Sequence, residues 1–191
     1  MQTKRLMPVV MLLFFVMSLA ACGGGKAAKS EPEPVPVPDP KLETRYQRVQ
    51  VLAVGIGAQF AEDYPDAAAE CRIGLIEGLT GTKRFQVSKV DAAPAKTTDS
   101  HTLVVKLNIT DVRIISRAAR LTWDGFRSSY MDIKMTLTDG KTGKIIREKE
   151  FSTRNNVMAA SWTFGSTDAY LPRDMGNIIS EYIAAVVPQW P

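Results

Sequence analysis

Between residues 103 and 137 apolar and polar positions alternate over two long runs. Leu103, Val105, Leu107 and Ile109 interleave with Lys106, Asn108 and Thr110, and Met131, Ile133, Met135 and Leu137 interleave with Asp132, Lys134, Thr136 and Thr138. A period of two predicts strands that each bury one face. The stretch "DGKTGK" (residues 139–144) places glycine after aspartate and predicts a turn into a further strand, "KIIREKEFSTR". Upstream, "RVQVLAV" (48–54) is rich in β-branched residues and ends at Gly55 and Gly57, which predicts an opening strand. From Pro65 to Leu79 the spacing turns helical, with Pro65 suited to a first turn and Gly81 just past the end. "RFQVSKV" reads as a second strand, followed by a polar loop from Asp91 to Ser100. Leu171, Met175, Ile178, Ile179, Tyr182, Ile183, Val186 and Val187 form one stripe of a closing helix that starts at Pro172 and stops at Pro188. The order β-α-β-β-β-β-α predicts an α+β fold, a mostly antiparallel sheet covered by two helices.

The first residues follow a different pattern. Lys4 and Arg5 precede an uncharged apolar run from Leu6 to Ala21, and small residues close it. These are the three parts of an export signal. The run has 16 residues, short of the roughly 20 that a helix needs to cross a membrane. Leu19-Ala20-Ala21-Cys22 resembles the lipobox of bacterial lipoproteins, in which the cysteine sulfur takes up lipid and the cysteine becomes the first mature residue. The resemblance implies a lipid attachment site at Cys22 and an anchor in the membrane. Gly23, where aspartate would favour inner-membrane retention, implies the outer membrane, with the domain facing the periplasm. After it, prolines at 32, 34, 36, 38 and 40 favour an extended spacer. The expected organisation is a signal at 1–21, a lipidated cysteine and Pro-rich linker at 22–46, and a folded domain at 47–191.

Charge changes the picture little. The formal net charge of +4 falls to about +2 once Lys4 and Arg5 leave with the signal, 22 basic residues then facing 20 acidic ones. No nucleic-acid partner is expected from that balance. With Cys22 occupied by lipid, Cys71 has no partner in its chain. It shares a helical stripe with Ala68, Leu75 and Leu79, so it is expected in the core as a small hydrophobe.

Motifs that carry chemistry are absent. "GKT" at 140–142 lacks the glycine of a phosphate loop, since Met135 stands there. "VGIGAQF" has Phe60 in place of the third glycine of a dinucleotide fingerprint. His101 is the only histidine, and one histidine with one free cysteine makes neither a usual zinc site nor a marked catalytic triad. No cofactor, metal or enzymatic activity is expected.

Two segments stand out as candidate partner-binding surfaces. "RIISRAARLTWDGF" (113–126) carries Arg113, Arg117, Arg120 and Trp123 near one hairpin tip, and "NNVMAASWTFGSTDAY" (155–170) carries Met158, Trp162 and Phe164. Basic and aromatic residues together suit a protein partner, anionic headgroups or polysaccharide. The aromatics equally suit folding back to cap the sheet.

The pieces "RVQVLAV", "GLTGTKRFQV", "LVVKLNITDVRI", "MTLTDGKTGKII" and "FGSTDAYLPRDMGNIISEYI" together resemble the bacterial lipoprotein domain known as domain of unknown function 4410, from about Arg48 to Val187. That domain is in turn similar in architecture to the α/β domains of the curli secretion lipoprotein and other export and assembly lipoproteins. The resemblance implies a non-enzymatic envelope subunit with a protein partner and self-association. It does not extend to pore formation, because the strands at 103–137 keep one polar face and are interrupted by the Arg-rich connection. The alternative expectation is a binding module for an envelope glycan or anionic lipid.

Overall fold

The computed structural model describes residues 38–92, 101–120, 127–154 and 166–189. Its elements follow the chain as β1 (Arg48–Val51), β2 (Gly55–Ile56), α1 (Ala58–Ala61), α2 (Ala67–Gly81), β3 (Gln86–Lys89), β4 (Thr102–Arg113), α3 (Arg117–Arg120), β5 (Tyr130–Asp139), β6 (Ile145–Arg154), α4 (Ser166–Ala169) and α5 (Leu171–Val186). The main elements keep the expected order, and the class is α+β. The sheet runs β3-β1-β4-β5-β6, with β2 pairing β4.

The sheet is mixed. β4, β5 and β6 pair antiparallel over long registers, whereas β1 is parallel to both β3 and β4. A strand that returns through a helix comes back parallel, and α2 is that crossover between β1 and β3.

One face of the sheet is covered. Val49, Val51, Leu103, Val105, Leu107, Ile109, Met131, Ile133, Met135 and Leu137 are all buried against Leu75, Leu79, Met175, Ile179 and Ile183 of the two long helices. Both period-two runs therefore keep their apolar sets on the helix side. Cys71 is fully buried among them, and burial pushes its thiol up to about 12. The closing helix departs from expectation at Ile178, which is 42% exposed. The helix rotates its packed face onto Gly176 and Ser180 instead, because these small residues let it approach α2. A Cβ on Gly74 would lie 2.1 Å from the Arg173 carbonyl oxygen, and one on Gly176 would lie 2.2 Å from that of Cys71. The two backbones are in direct contact.

The turn at 139–144 forms as expected, with a different glycine at its strained position. Asp139 Oδ1 accepts from the Thr142 N–H and hydroxyl, both at 2.8 Å. Gly143 takes the left-handed φ of 74°, where a side chain would clash.

Residues 39–46, assigned to the spacer by their sequence, belong to the packed unit, which starts at Asp39. Leu42 and Tyr46 are buried. The Leu42 N–H donates to the Val186 carbonyl at 2.8 Å, Arg147 donates to the Pro40 carbonyl at 2.9 Å, and Lys149 pairs with Asp39. Two apolar residues spaced among charges carry no periodicity, so the sequence concealed this strap.

Buried Arg72 is a further feature with no sequence signal. Its guanidinium donates to the carbonyls of Val51 at 2.7 Å and Val90 at 2.6 Å and pairs with Asp91 at 2.8 Å. It clamps the ends of β1 and β3 to α2.

Candidate functional site

The ends of β4, β5 and β6 meet at Tyr130, which pairs with Arg113 on one side and Arg154 on the other. Both arginines stack on its ring, Arg113 at 4.8 Å from the centroid and Arg154 at 5.1 Å. An arginine over an aromatic face is held by the ring's quadrupole. The Tyr130 hydroxyl donates to Asp111 Oδ2 at 3.2 Å. Burial first and this hydrogen bond second push the Tyr130 phenol upward. Arg113 also donates to the Ser128 carbonyl, through Nε at 3.3 Å and Nη2 at 3.2 Å. The Ile115 N–H donates to the buried Ser129 hydroxyl at 2.9 Å.

A register shift between Ile109 and Asp111 precedes this end of the sheet. Such a bulge re-aims the residues that follow it. Here it brings Asp111 within reach of Tyr130. The sequence shows Arg113 as part of the basic connection, but nothing in it marks Tyr130 or Arg154. Their meeting depends on the pairing of three strands.

Both candidate segments leave from this end. The connection with Arg117, Arg120 and Trp123 departs after Arg113, and the segment with Trp162 and Phe164 departs after Arg154. Arg117 and Arg120 bound the short helix α3, whose first turn is closed by the Ser116 hydroxyl accepting from the Ala119 N–H at 3.2 Å. The side chains of Arg117 and Arg120 lie outside the described residues, as do Trp123, Met158, Trp162, Phe164 and Cys22.

His101 lies beside the start of β4, with Nδ1 3.4 Å from the Arg45 carbonyl oxygen. Its own carbonyl accepts from the N–H groups of Gln47 and Arg48. Among the described residues, no three His, Cys, Asp or Glu side chains are grouped to hold a metal ion. No helix among them is long and apolar enough to cross a membrane. Chemically, the site is a basic, aromatic sheet end suited to recognition.

No family model matches the chain, and no curated protein matches it. Solved structures do. The PelC dodecamer of Paraburkholderia phytofirmans, in a single-substitution variant, is similar at 13% identity and a TM-score of 0.50, over 72% of this chain and 91% of that one. A second crystal form of the PelC dodecamer gives 13% identity and 0.49, over 75% and 94%. Protein XCC0632 of Xanthomonas campestris, assigned to domain of unknown function 330, gives 7% identity and 0.49, over 80% and 92%. At 13% identity, what this chain shares with the PelC protomer is its fold.

Proposed function

We propose that this chain is a lipid-anchored, non-enzymatic protein of the bacterial envelope, tethered through Cys22 to the outer membrane, whose α/β domain serves as an assembly subunit. The observation that carries the reading is the fold in common with the PelC protomer, which packs as a dodecamer. Leu19-Ala20-Ala21-Cys22 supplies the anchor. The resemblance to domain of unknown function 4410 rests on the sequence and points the same way. The Arg-bearing connection with Trp123 and the segment with Trp162 and Phe164 leave from one sheet end, which suits a protein partner or a second copy, since buried aromatic and arginine anchors dominate such interfaces.

The anchor is tested by Cys22→Ser in the full chain, with detergent-phase partitioning and intact mass as readouts. The variant is expected to lose the lipid mass. A variant of unchanged mass apart from the substitution itself, still carrying lipid, refutes the site. Assembly is tested by crosslinking in native membranes followed by mass measurement of detergent extracts. Higher oligomers or a stoichiometric protein partner are expected, reduced by Trp123→Ala with Trp162→Ala. A monomer without partner that binds envelope glycan in a salt-sensitive way moves the function to a glycan-binding module using Arg117, Arg120, Trp123 and Trp162.

A further inference from the structure

The end of the sheet opposite Tyr130 is formed by the turn at 139–144, the starts of β1, β3 and β4, and the last turns of α2 and α5. Four lysines stand on it, all exposed: Lys41 on the strap, Lys83 after α2, and Lys141 and Lys144 on the turn. None forms an ion pair with a described residue. Lys83 sits at a φ of 55°, a left-handed helix-ending position that directs the chain from α2 into β3.

Two carboxylates nearby are ion-paired with other lysines. Asp39 pairs with Lys149 and Glu148 pairs with Lys134. Asp139, on the turn itself, keeps its negative charge, held by the Thr142 and Tyr46 hydroxyls, and stands against four lysines. Glu43 alone among the described residues there is an exposed carboxylate with no such partner. Carboxylates gather instead at the start of α2, where Glu62, Asp63 and Asp66 are exposed.

The lysines do not converge. Lys83 leads into β3 and Lys144 into β6, the two edges of the sheet. Four strand spacings of about 4.8 Å put those positions roughly 19 Å apart. A compact anion meets one or two of them at most, whereas a flat sheet of negative charge meets all four. Beside Lys144, Ile145 is 55% exposed, an apolar side chain able to enter a headgroup layer. The chain arriving from Cys22 reaches the domain along β6, through Asp39 and Pro40, and runs down to this end at Leu42. The stretch from Cys22 to Asp39 reaches at most about 55 Å if extended, so it brings the domain within range of the bilayer without fixing which face turns toward it.

We infer that this lysine-bearing end is a membrane-facing surface that docks on anionic phospholipid headgroups, leaving the Tyr130 end turned away for a partner. The inference rests on the lipid anchor at Cys22. Each lysine near an anionic leaflet adds a small attraction that salt screens, and together they select one orientation of an already tethered domain.

The test uses the lipidated full-length product, reconstituted into vesicles of phosphatidylcholine alone or mixed with phosphatidylglycerol. Lysines are acetylated with a membrane-impermeant reagent and read by peptide mass spectrometry. Exposed Lys89 and Lys106, away from this end, serve as internal controls. Lys41, Lys83, Lys141 and Lys144 are expected to be labelled about threefold less than the controls on the anionic vesicles only, with the difference erased by high salt. Equal labelling on both vesicle types, in a chain that floats with both, overturns the surface and leaves the anchor standing. Protection that needs added envelope protein assigns the end to an acidic partner and also overturns it. A chain that floats with neither vesicle removes the anchor, and the proposal with it.

Discussion

Replacing Gly74 by alanine tests whether the α2–α5 contact organises the domain. The new Cβ would lie 2.1 Å from the Arg173 carbonyl oxygen, 2.9 Å from its carbonyl carbon and 3.1 Å from its Cα. All three are backbone atoms in the first turn of α5, so no side chain can swing aside. Restoring ordinary contact of about 3.4 Å means parting the helices by roughly 1.3 Å, and a gap of 0.5–1 Å already forfeits a quarter to a half of each dispersion contact. Leu75, Leu79, Met175 and Ile179, all fully buried, sit at this seam. Overpacking of this kind costs about 1–3 kcal/mol, here toward the upper end because backbone opposes backbone. Better helix propensity returns up to about 1 kcal/mol. The net expectation is a loss of about 2 kcal/mol. Gly81→Ala supplies the control on the same helix: nothing lies within 4 Å of its Cβ, so it is expected to stabilise by about 0.5 kcal/mol. Urea unfolding followed by circular dichroism reads both. Two variants that shift in the same direction, or a Gly74→Ala midpoint within about 0.5 kcal/mol of the parent, would refute the close-contact account.

Further outcomes follow from single groups. Arg72→Met is expected to cost about 2–3 kcal/mol by removing charge-assisted bonds to the Val51 and Val90 carbonyls; Asp91→Asn is expected to cost far less, because the Asp91 side chain is 83% exposed and solvent screens the pair, and equal losses in urea titrations would contradict this. Cys71→Ala should cost about 1 kcal/mol or more through the cavity it leaves, and the wild-type thiol should stay unreactive to a disulfide reagent until the domain unfolds; rapid reaction of the native protein would place it at the surface. Burial alone would raise the Asp139 carboxyl, but the Thr142 N–H and hydroxyl with the Tyr46 hydroxyl hold it below its ordinary value. Its folded pKa is thus lower than its unfolded one, so its contribution is in place above about pH 4 and is lost as pH falls through the folded value. Tyr46→Phe should cost about 1 kcal/mol at neutral pH and weaken that acid dependence, and an unchanged acid-unfolding curve would count against the pairing.

Where one side of an element is buried, the sequence records it as a period, and those elements were legible. The alternation at 103–109 and 131–137 and the stripe from Leu171 to Val186 became β4, β5 and α5, and Cys71 took its expected place beside Leu75 and Leu79. The placement of β1 between two parallel neighbours was not legible, because a period of two reports which face is buried and says nothing of which strand lies beside it. Nor did the stripe reveal that Gly176 and Ser180, rather than Ile178, face inward: that choice belongs to the partner helix, whose Gly74 and Gly78 leave room for close approach. Nothing in the sequence sets Arg72 apart from the other arginines; its role comes from two carbonyl ends and Asp91 brought around it by the fold. The candidate site divides in the same way. Composition picked out an Arg-rich connection with Trp123 and an aromatic segment with Trp162 and Phe164, and only strand pairing through Tyr130 put their points of departure at one end. The four lysines at the other end are spread along the chain from residue 41 to 144, and no local pattern joins them. A sequence carries local periodicity and local chemistry; a shared face made from distant residues exists only once the chain has folded.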